Sequence, residues 1–530
     1  MERTINIIGA GLAGLSAAIT LAREGIPCRL ISAQPSERAQ SVLAEGGINA
    51  ALDTMGEDDS VEEHFADTMR GGCYLQSDEE VLTLTGAACG VVRELARLGV
   101  PFEAKDGQLI LRNFGGQKKK RTAYCKSSTG KVLMTALIDE ARRYETAGRI
   151  TRFSHHELVD ILPEGGRLAA VLVRDGHTGT VTPFAGPCIL CTGGLNGMFP
   201  GMTTGTTQNT GNAAAIAFAR GVEMKNLEFI QYHPTTVGIP GKRMLISEAA
   251  RGEGGRLYYL RNGQPWYFME EKYPSLGNLM PRDVVSREMV LCGEEPGVTG
   301  DCMLDMTGLE ETVFSGKLSD MREEILQYLD LDIARVPVPV GPGIHYFMGG
   351  IRVDARHETN IRGLFAAGEA ASRYHGANRL GGNSMLGALV GGRIAALAAA
   401  ETAEDRETGF AGVTRMDDTD TAYSAAKAEK LGGMLLDGLG ILRTEQGLAD
   451  AADRVQGMLS SDGTRMEHLR EQLGLAMLRS AMARKESRGA HWRLDYPTAA
   501  DCFRADTVIS LVNGNMLVRF EERPQGGNGQ

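Results

Sequence analysis

The residues best suited to chemistry lie in five short stretches of this 530-residue chain. Gln231-Tyr232-His233-Pro234-Thr235, Ser247-Glu248-Ala249-Ala250-Arg251-Gly252-Glu253-Gly254, Pro281-Arg282-Asp283 and His345-Tyr346 supply two His, two Arg and several carboxylates. The fifth stretch, SRYHGANRLGGNSML (Ser372–Leu386), sets Arg379 among three glycines. Each motif alone reads as a routine buried His or surface Arg. Together they concentrate cations in the manner a small dianion requires, with Arg379 offering a planar fork that matches a carboxylate. Gly376, Gly381 and Gly382 let backbone N–H groups approach a ligand with no Cβ in the way. A glycine-rich loop capping a helix would explain that last stretch equally well, so the other end of the chain decides.

There, Thr4–Ile8 has strand character, Gly9-Ala10-Gly11-Leu12-Ala13-Gly14 forms a glycine turn, and a helix pattern runs through Leu15–Arg23. Strand, turn and helix in that order place a pyrophosphate on the helix N-terminus, where unpaired N–H groups and the helix dipole favour anions. Cys28–Ser32 is a second strand. Ser32 and Ala33 stand where a nicotinamide ribose would need an acidic side chain, which counts against NAD. Gly46-Gly47 can pass beneath a flat ring, Thr192–Gly194 offers another close backbone approach, and the strand-like Gly363–Ala370 delivers Glu369 toward a ribose or ribityl hydroxyl. No second fingerprint follows in strand–turn–helix context, so a single dinucleotide is expected.

The elements that must position these residues read as α/β. Helices are expected over Val61–Gly71, Glu80–Gly99, Gly130–Tyr144 and Gly211–Arg220, with Arg112–Thr122 as a loop whose basic run Lys118–Arg121 is solvated. Leu168–Arg174 and Thr180–Cys191 form a hairpin-like pair, which accounts for the lone CxxC by burial, so no metal is expected. Through residue 235 this is a doubly wound dinucleotide domain. Residues 236–348 are an insertion, 349–408 return to the first domain, and 409–530 are mainly helical (Thr421–Gly438, Thr444–Leu459, Met466–Ala483) with a β-like tail, Val508–Phe520. A formal net charge of −11 argues against nucleic acid, which needs a basic face. Nine scattered Cys and an N-terminus that enters a strand at once suit a cytoplasmic protein with free thiols. No apolar run approaches the length of about 18 residues needed to span a bilayer, so membrane association is expected only through a partner at the inner face.

These motifs resemble the flavoprotein subunits of succinate dehydrogenase and fumarate reductase, with L-aspartate oxidase as the nearest cousin. GAGLAG, AEGGINAAL, FGGQKKKRT, QYHPT, SEAARGEGG, PRDVVSRE, HYFMGGI, AAGEAA, HGANRLGGNS and ESRGAHWRLDYP occur in family order almost end to end. The resemblance implies a Rossmann-like FAD-binding domain, an inserted α+β capping domain and a C-terminal helical domain. It implies FAD on Gly9, Ala10, Gly11, Ala13, Gly14, Ser32, Ser41, Ala44, Gly46, Gly47, Gly193, Gly194, Asn212, Glu369, Arg379, Asn383, Ser384 and Leu386. His233, Ser247, His345 and Arg379 would hold a dicarboxylate, and Arg282 would donate a proton replenished through Glu248 and Arg251.

The chain departs from the family at several of these positions. Gln40 stands where respiratory members carry the His that bonds the flavin, which implies noncovalent FAD. Glu45 stands for a usual Gln, Asn212 for Asp and Ser247 for Thr, and Glu45 is expected to be ionised beside the ring. The tail after ESRGAHWRLDYP is shorter than in respiratory members. With no second dinucleotide fingerprint, no Cys cluster and no haem motif, electrons are expected from outside, from an iron–sulfur subunit or a reduced flavin or quinol system. The expected activity is fumarate reduction. L-aspartate oxidation is the alternative within enzymes, although FGGQKKKRT and HYFMGGI look like the reductase branch. A non-catalytic electron-relay subunit is the alternative outside enzymes.

Overall fold

The computed structural model describes residues 4–126, 128–402, 414–415 and 423–522. Five parallel strands form the first sheet, in the order Leu364–Ala366, Cys188–Leu190, Ile5–Ile8, Cys28–Ser32, Ile150–Ser154. Leu364–Ala366, Cys188–Leu190 and Ile5–Ile8 are buried along their whole length, as strands covered on both faces are. Helix Leu12–Arg23 starts inside the glycine turn, three residues earlier than the hydrophobic pattern alone suggests. It lies against helix Asn383–Thr402 so closely that a Cβ on Gly392 would come within 2.3 Å of the Ala13 carbonyl oxygen. The Ser16 hydroxyl donates to the Leu389 carbonyl across the same seam.

Local chemistry sets the helix boundaries. Helix Asp78–Arg97 begins ahead of Glu80 because Ser77 and Glu80 form a reciprocal capping box. In the C-terminal part, Ser424, Thr444 and Thr464 each accept a backbone N–H at the start of Ala425–Leu439, Glu445–Leu459 and Arg465–Ala483. The first two residues of the helix expected from Thr421 lie outside the described residues. Leu431, Leu435, Leu448, Val455 and Leu473 of these helices share one core with Phe199 and Phe218 of the first domain. The tail is a hairpin, Ala505–Val512 with Asn515–Glu522, stitched to Met224–Lys225 of the first domain.

Three expectations are corrected. The hairpin from Leu168 ends at Ala185; Cys188–Leu190 leaves it and enters the parallel sheet, because it runs between Ile5–Ile8 and Leu364–Ala366. Arg121 is not solvated: it is fully buried, with Asp59 at 2.9 Å and Asp67 at 3.1 Å. Among the described residues one helix, Asn383–Thr402, is long and apolar enough to cross a membrane by length and composition, and most of it is buried inside the protein. The sequence hid its length because its glycines and alanines read as a loop followed by an ordinary core helix.

The insertion has its own core, built on Leu257, Phe268, Val285, Leu304 and Val338. It is joined to the first domain by two long antiparallel strands, Ile230–Ile239 and Val338–Phe347, which pair Tyr232 with Ile344 and His233 with Gly343. The register breaks between Gln231 and Tyr232 and again between His233 and Thr236. Such irregularities re-aim side chains at sheet positions beside a site.

Candidate active site

A cleft of about 840 Å³ runs from the carboxyl ends of the parallel strands to the base of the insertion. Gly9, Ala10, Gly11, Ala13, Ser32, Ser41, Ala44, Gly46, Gly47, Gly193, Gly194, Asn212, Glu369, Arg379 and Ser384 all line it. Gly14, Asn383 and Leu386 do not. A Cβ on Gly14 would sit 1.9 Å from the Gly9 carbonyl oxygen, so this glycine serves strand–helix packing. Asn383 turns away from the cleft: its Oδ1 accepts from Asn49 at 2.8 Å and pairs with His64 at 3.0 Å, and its Nδ2 donates to Thr68 at 3.0 Å. Leu386 is fully buried.

The lining fits a dinucleotide. The helix N-terminus Gly11–Ala13 faces the cleft, and Ser32 Oγ, Asn209 Nδ2 and Asn212 Oδ1 are buried polar atoms lining it with no partner in the protein. Glu369, expected at a ribose or ribityl hydroxyl, accepts from the Phe347 N–H at 3.0 Å, and burial pushes its carboxyl up to about 7. Gln40 lines the cleft with its amide oxygen accepting from the Thr206 N–H.

At the far end the scattered motifs converge. Glu248 Oε2 accepts from Arg282 Nε at 2.9 Å and Nη2 at 2.7 Å. Its Oε1 accepts from the Gly115 N–H at 3.0 Å and lies 3.5 Å from Arg251 Nη2. Burial opposes ionisation of this carboxyl, but the two guanidinium groups outweigh it and hold it down at about 2. Arg251 is fully buried behind Glu248 and does not line the cleft. Arg379 lies over the Tyr346 ring, 4.5 Å from its centroid. Burial, followed by repulsion from Arg282, pulls Arg379 down to about 10.

His233 and His345 meet edge to face at 5.2 Å. His233 donates Nδ1–H to the Thr235 carbonyl at 3.2 Å, and His345 Nδ1 pairs with Thr204 Oγ1 at 2.9 Å. Burial, then the nearby arginines, drives both rings well below the usual imidazole range, so both are neutral. A carboxylate brought between them would oppose that shift, because an opposite charge favours the protonated form. Ser247 and Glu45 both line the cleft. The expected ionised Glu45 is corrected here. Burial and the facing Glu324 push its carboxyl up to about 8, against the pull of Arg112, so it is mainly neutral at pH 7. Thr204 carried no signal in the sequence: it is one of several threonines in a polar loop, and nothing there singles it out.

A cleft at the carboxyl ends of a parallel sheet, with a phosphate-binding helix N-terminus at one end and a cation-rich wall at the other, defines an FAD-dependent oxidoreductase. Residues 5–385 match the FAD binding domain family, and residues 462–525 match the fumarate reductase flavoprotein C-terminal family. The chain belongs to the succinate dehydrogenase/fumarate reductase flavoprotein family. It is 36% identical to the succinate dehydrogenase flavoprotein subunit of Bacillus subtilis, over 94% of this chain and 92% of that one. It is 33% identical to L-aspartate oxidase 2 of Ralstonia nicotianae, over 94% of this chain and 92% of the relative. A structure of E. coli quinol fumarate reductase superposes with a TM-score of 0.88 at 29% identity, covering 98% of this chain and 97% of that one.

Proposed function

We propose that this chain reduces fumarate, or a close fumarate-like dicarboxylate, to succinate on noncovalently held FAD, with electrons supplied by a separate partner. The observation that carries the reading is the balance of charge at the end of the cleft. Arg251, Arg282 and Arg379 face one strongly ionised carboxylate, Glu248. That leaves an excess of cations suited to a dianion.

His233, Ser247, His345 and Arg379 hold the two carboxylates, with Arg379 placed to draw charge as it develops on the substrate. FAD, when bound, supplies the hydride that adds to one alkene carbon. Arg282 delivers a proton to the other carbon, so that fumarate gains one hydride and one proton and leaves as succinate. A guanidinium is a reluctant acid in water, with a pKa above about 12. Here Glu248 bridges Arg282 on one oxygen and Arg251 on the other, so a proton lost from Arg282 can be returned through Glu248. Gln40 has no nucleophilic ring nitrogen, which supports noncovalent attachment.

The test is an anaerobic mixing experiment. Protein reduced with dithionite should reoxidise at a rate that rises with fumarate, and oxidised protein should not bleach with L-aspartate. Bleaching by L-aspartate without reoxidation by fumarate would favour the oxidase reading that the Ralstonia relative supports, and response to neither would leave an electron-relay subunit. Acid precipitation should release all flavin to the supernatant; flavin retained in the pellet would refute noncovalent attachment. Turnover of the purified chain with NADH alone would refute the separate donor.

A further inference from the structure

Arg282 and Asp283 open the helix Arg282–Gly293 of the insertion, and their side chains are joined through two buried amides that belong to the first domain's side of the cleft. Arg282 Nη1 donates to Gln231 Oε1 at 3.3 Å. Gln231 Nε2 donates to Asn378 Oδ1 at 2.7 Å and to the Arg379 carbonyl at 2.8 Å. Asn378 Nδ2 donates to Asp283 Oδ1 at 2.8 Å. The path therefore leaves one residue of the helix and returns to the next. Gln231 is fully buried and Asn378 nearly so.

Every bond along this path runs donor to acceptor in the same sense, from guanidinium to carboxylate. That sense fixes both amides: flipping either would set an NH₂ against a donor at one end and an oxygen against an acceptor at the other. Asp283 stands in the first turn of the helix, where burial raises its carboxyl against the pull of Arg287 and of the backbone N–H groups of Asp283 and Val284. Arg287 is the other charged side chain facing Asp283. The ring thus ties three elements: the strand carrying His233, the loop carrying Arg379 and the helix carrying Arg282.

We propose that Gln231, Asn378 and Asp283 form a latch that sets the position of Arg282 relative to Arg379, making the three of them positioning residues for proton delivery. The inference rests on the reading of Arg282 as proton donor. It requires that the latch act through Arg282 and not through the cofactor or the carboxylate grip. Misplacement of a reacting group by about 1 Å can cost about 10²-fold in rate, which sets the size of effect to look for.

The experiment is single-turnover reoxidation of the reduced holoprotein by fumarate, in a wild-type and an Arg282→Gln background. Asn378→Ala should slow the wild type by about 10- to 100-fold, with FAD content and the dicarboxylate Kd, read by flavin absorbance on adding malonate, little changed. In the Arg282→Gln background the same substitution should slow the reaction by less than about threefold, since residues acting as one unit are not additive. Asp283→Ala should reproduce Asn378→Ala, whereas Asp283→Asn, which keeps an acceptor oxygen for Asn378, should stay near wild type. Backbone hydrogen exchange at the start of helix Arg282–Gly293 should quicken in Asn378→Ala irrespective of activity. An equal loss in both backgrounds, unchanged exchange, or a loss matched by weakened malonate binding would overturn the latch. If instead Arg282→Gln itself keeps more than about a tenth of the rate, the proton-donor reading falls first, and the latch with it.

Discussion

Around Arg484 and around Arg282 the chain buries similar kinds of side chain, arginines with glutamate and histidine, yet their hydrogen bonds are distributed differently. Arg484 spends every donor: Nε on Glu228 at 2.6 Å, Nη1 on Glu486 at 2.8 Å and the Phe503 carbonyl at 2.7 Å, and Nη2 on the Ala505 carbonyl at 2.7 Å and Thr507 at 2.8 Å. Arg493 likewise pairs with Asp495 and Glu445. Arg379 Nε in the cleft, and Arg251 Nε and Nη2 behind Glu248, are buried with no hydrogen-bond partner in the protein. Buried charges left with spare donors are costly unless a ligand completes them. The Arg484 cluster holds the C-terminal segment to the first domain, whereas Arg379 lines the cleft with a donor left for a ligand.

The comparison breaks most sharply at Arg282. Arg282→Gln removes the acid but keeps much of the shape, so fumarate turnover should fall by about 10²- to 10⁴-fold while FAD content holds. Single-turnover rates and flavin absorbance check both halves of this statement. The matching cut in the other cluster is Arg484→Ala, which strands Glu228 as a buried carboxylate without its cation and leaves Glu486 to Arg488 alone. Breaking a buried pair costs about 3–5 kcal/mol, so the melting temperature should drop while the rate per bound FAD stays at its wild-type value at a permissive temperature. A rate loss without a stability loss would erase the distinction between the two regions. Arg379→Gln is a milder change, removing one charge-assisted contact worth about 1.5–3 kcal/mol. Dicarboxylate affinity should weaken by about 10- to 100-fold, seen as a raised Kd for malonate.

Much of this contrast was legible in the sequence, but unevenly. The helix Val61–Gly71 and the glycine turn at Gly9–Gly14 stand where the pattern puts them, since hydrophobic spacing and turn chemistry are local. Glu248 and Arg282 stand at the starts of helices Ala249–Gly252 and Arg282–Gly293, His233 and His345 lie within the paired strands Ile230–Ile239 and Val338–Phe347, and Arg379 lies on the loop before Asn383–Thr402. What the sequence concealed depends on partners far along the chain. Arg121 looked solvated in a basic run because Asp59 and Asp67, which bury it, lie more than fifty residues earlier. Asn383 looked like a cofactor ligand by its place in a motif, whereas His64, Asn49 and Thr68 claim its amide. The ionisation of Glu45 was unreadable for the same reason: the facing Glu324 comes from the insertion.

Glu45 offers the finest test of the comparison, because it sets a carboxyl that burial neutralises beside one, Glu248, that arginines keep ionised. Glu248 is depressed from 4.5 to about 2, so its contribution to stability is present above pH 4.5 and is lost as the pH falls toward 2. Glu45 runs the other way. Its folded value is raised from 4.5 to about 8, so the folded chain holds a proton that the unfolded chain has released between those values. The stability from that proton is fully present below pH 4.5 and is lost as the pH rises through 8. Glu45→Gln replaces the neutral carboxyl with a neutral amide of the same shape and abolishes the titration. The FAD-free variant should therefore melt closest to the wild type at pH 4, below the unfolded value of 4.5, and above it at pH 8. Burial also raises Glu324, which slopes stability in the same direction, so the measured quantity is the difference between variant and wild type at each pH. A gap of equal size at both pH values would show that Glu45 is ionised in the fold and that both carboxyls of the cleft are held by charge alone.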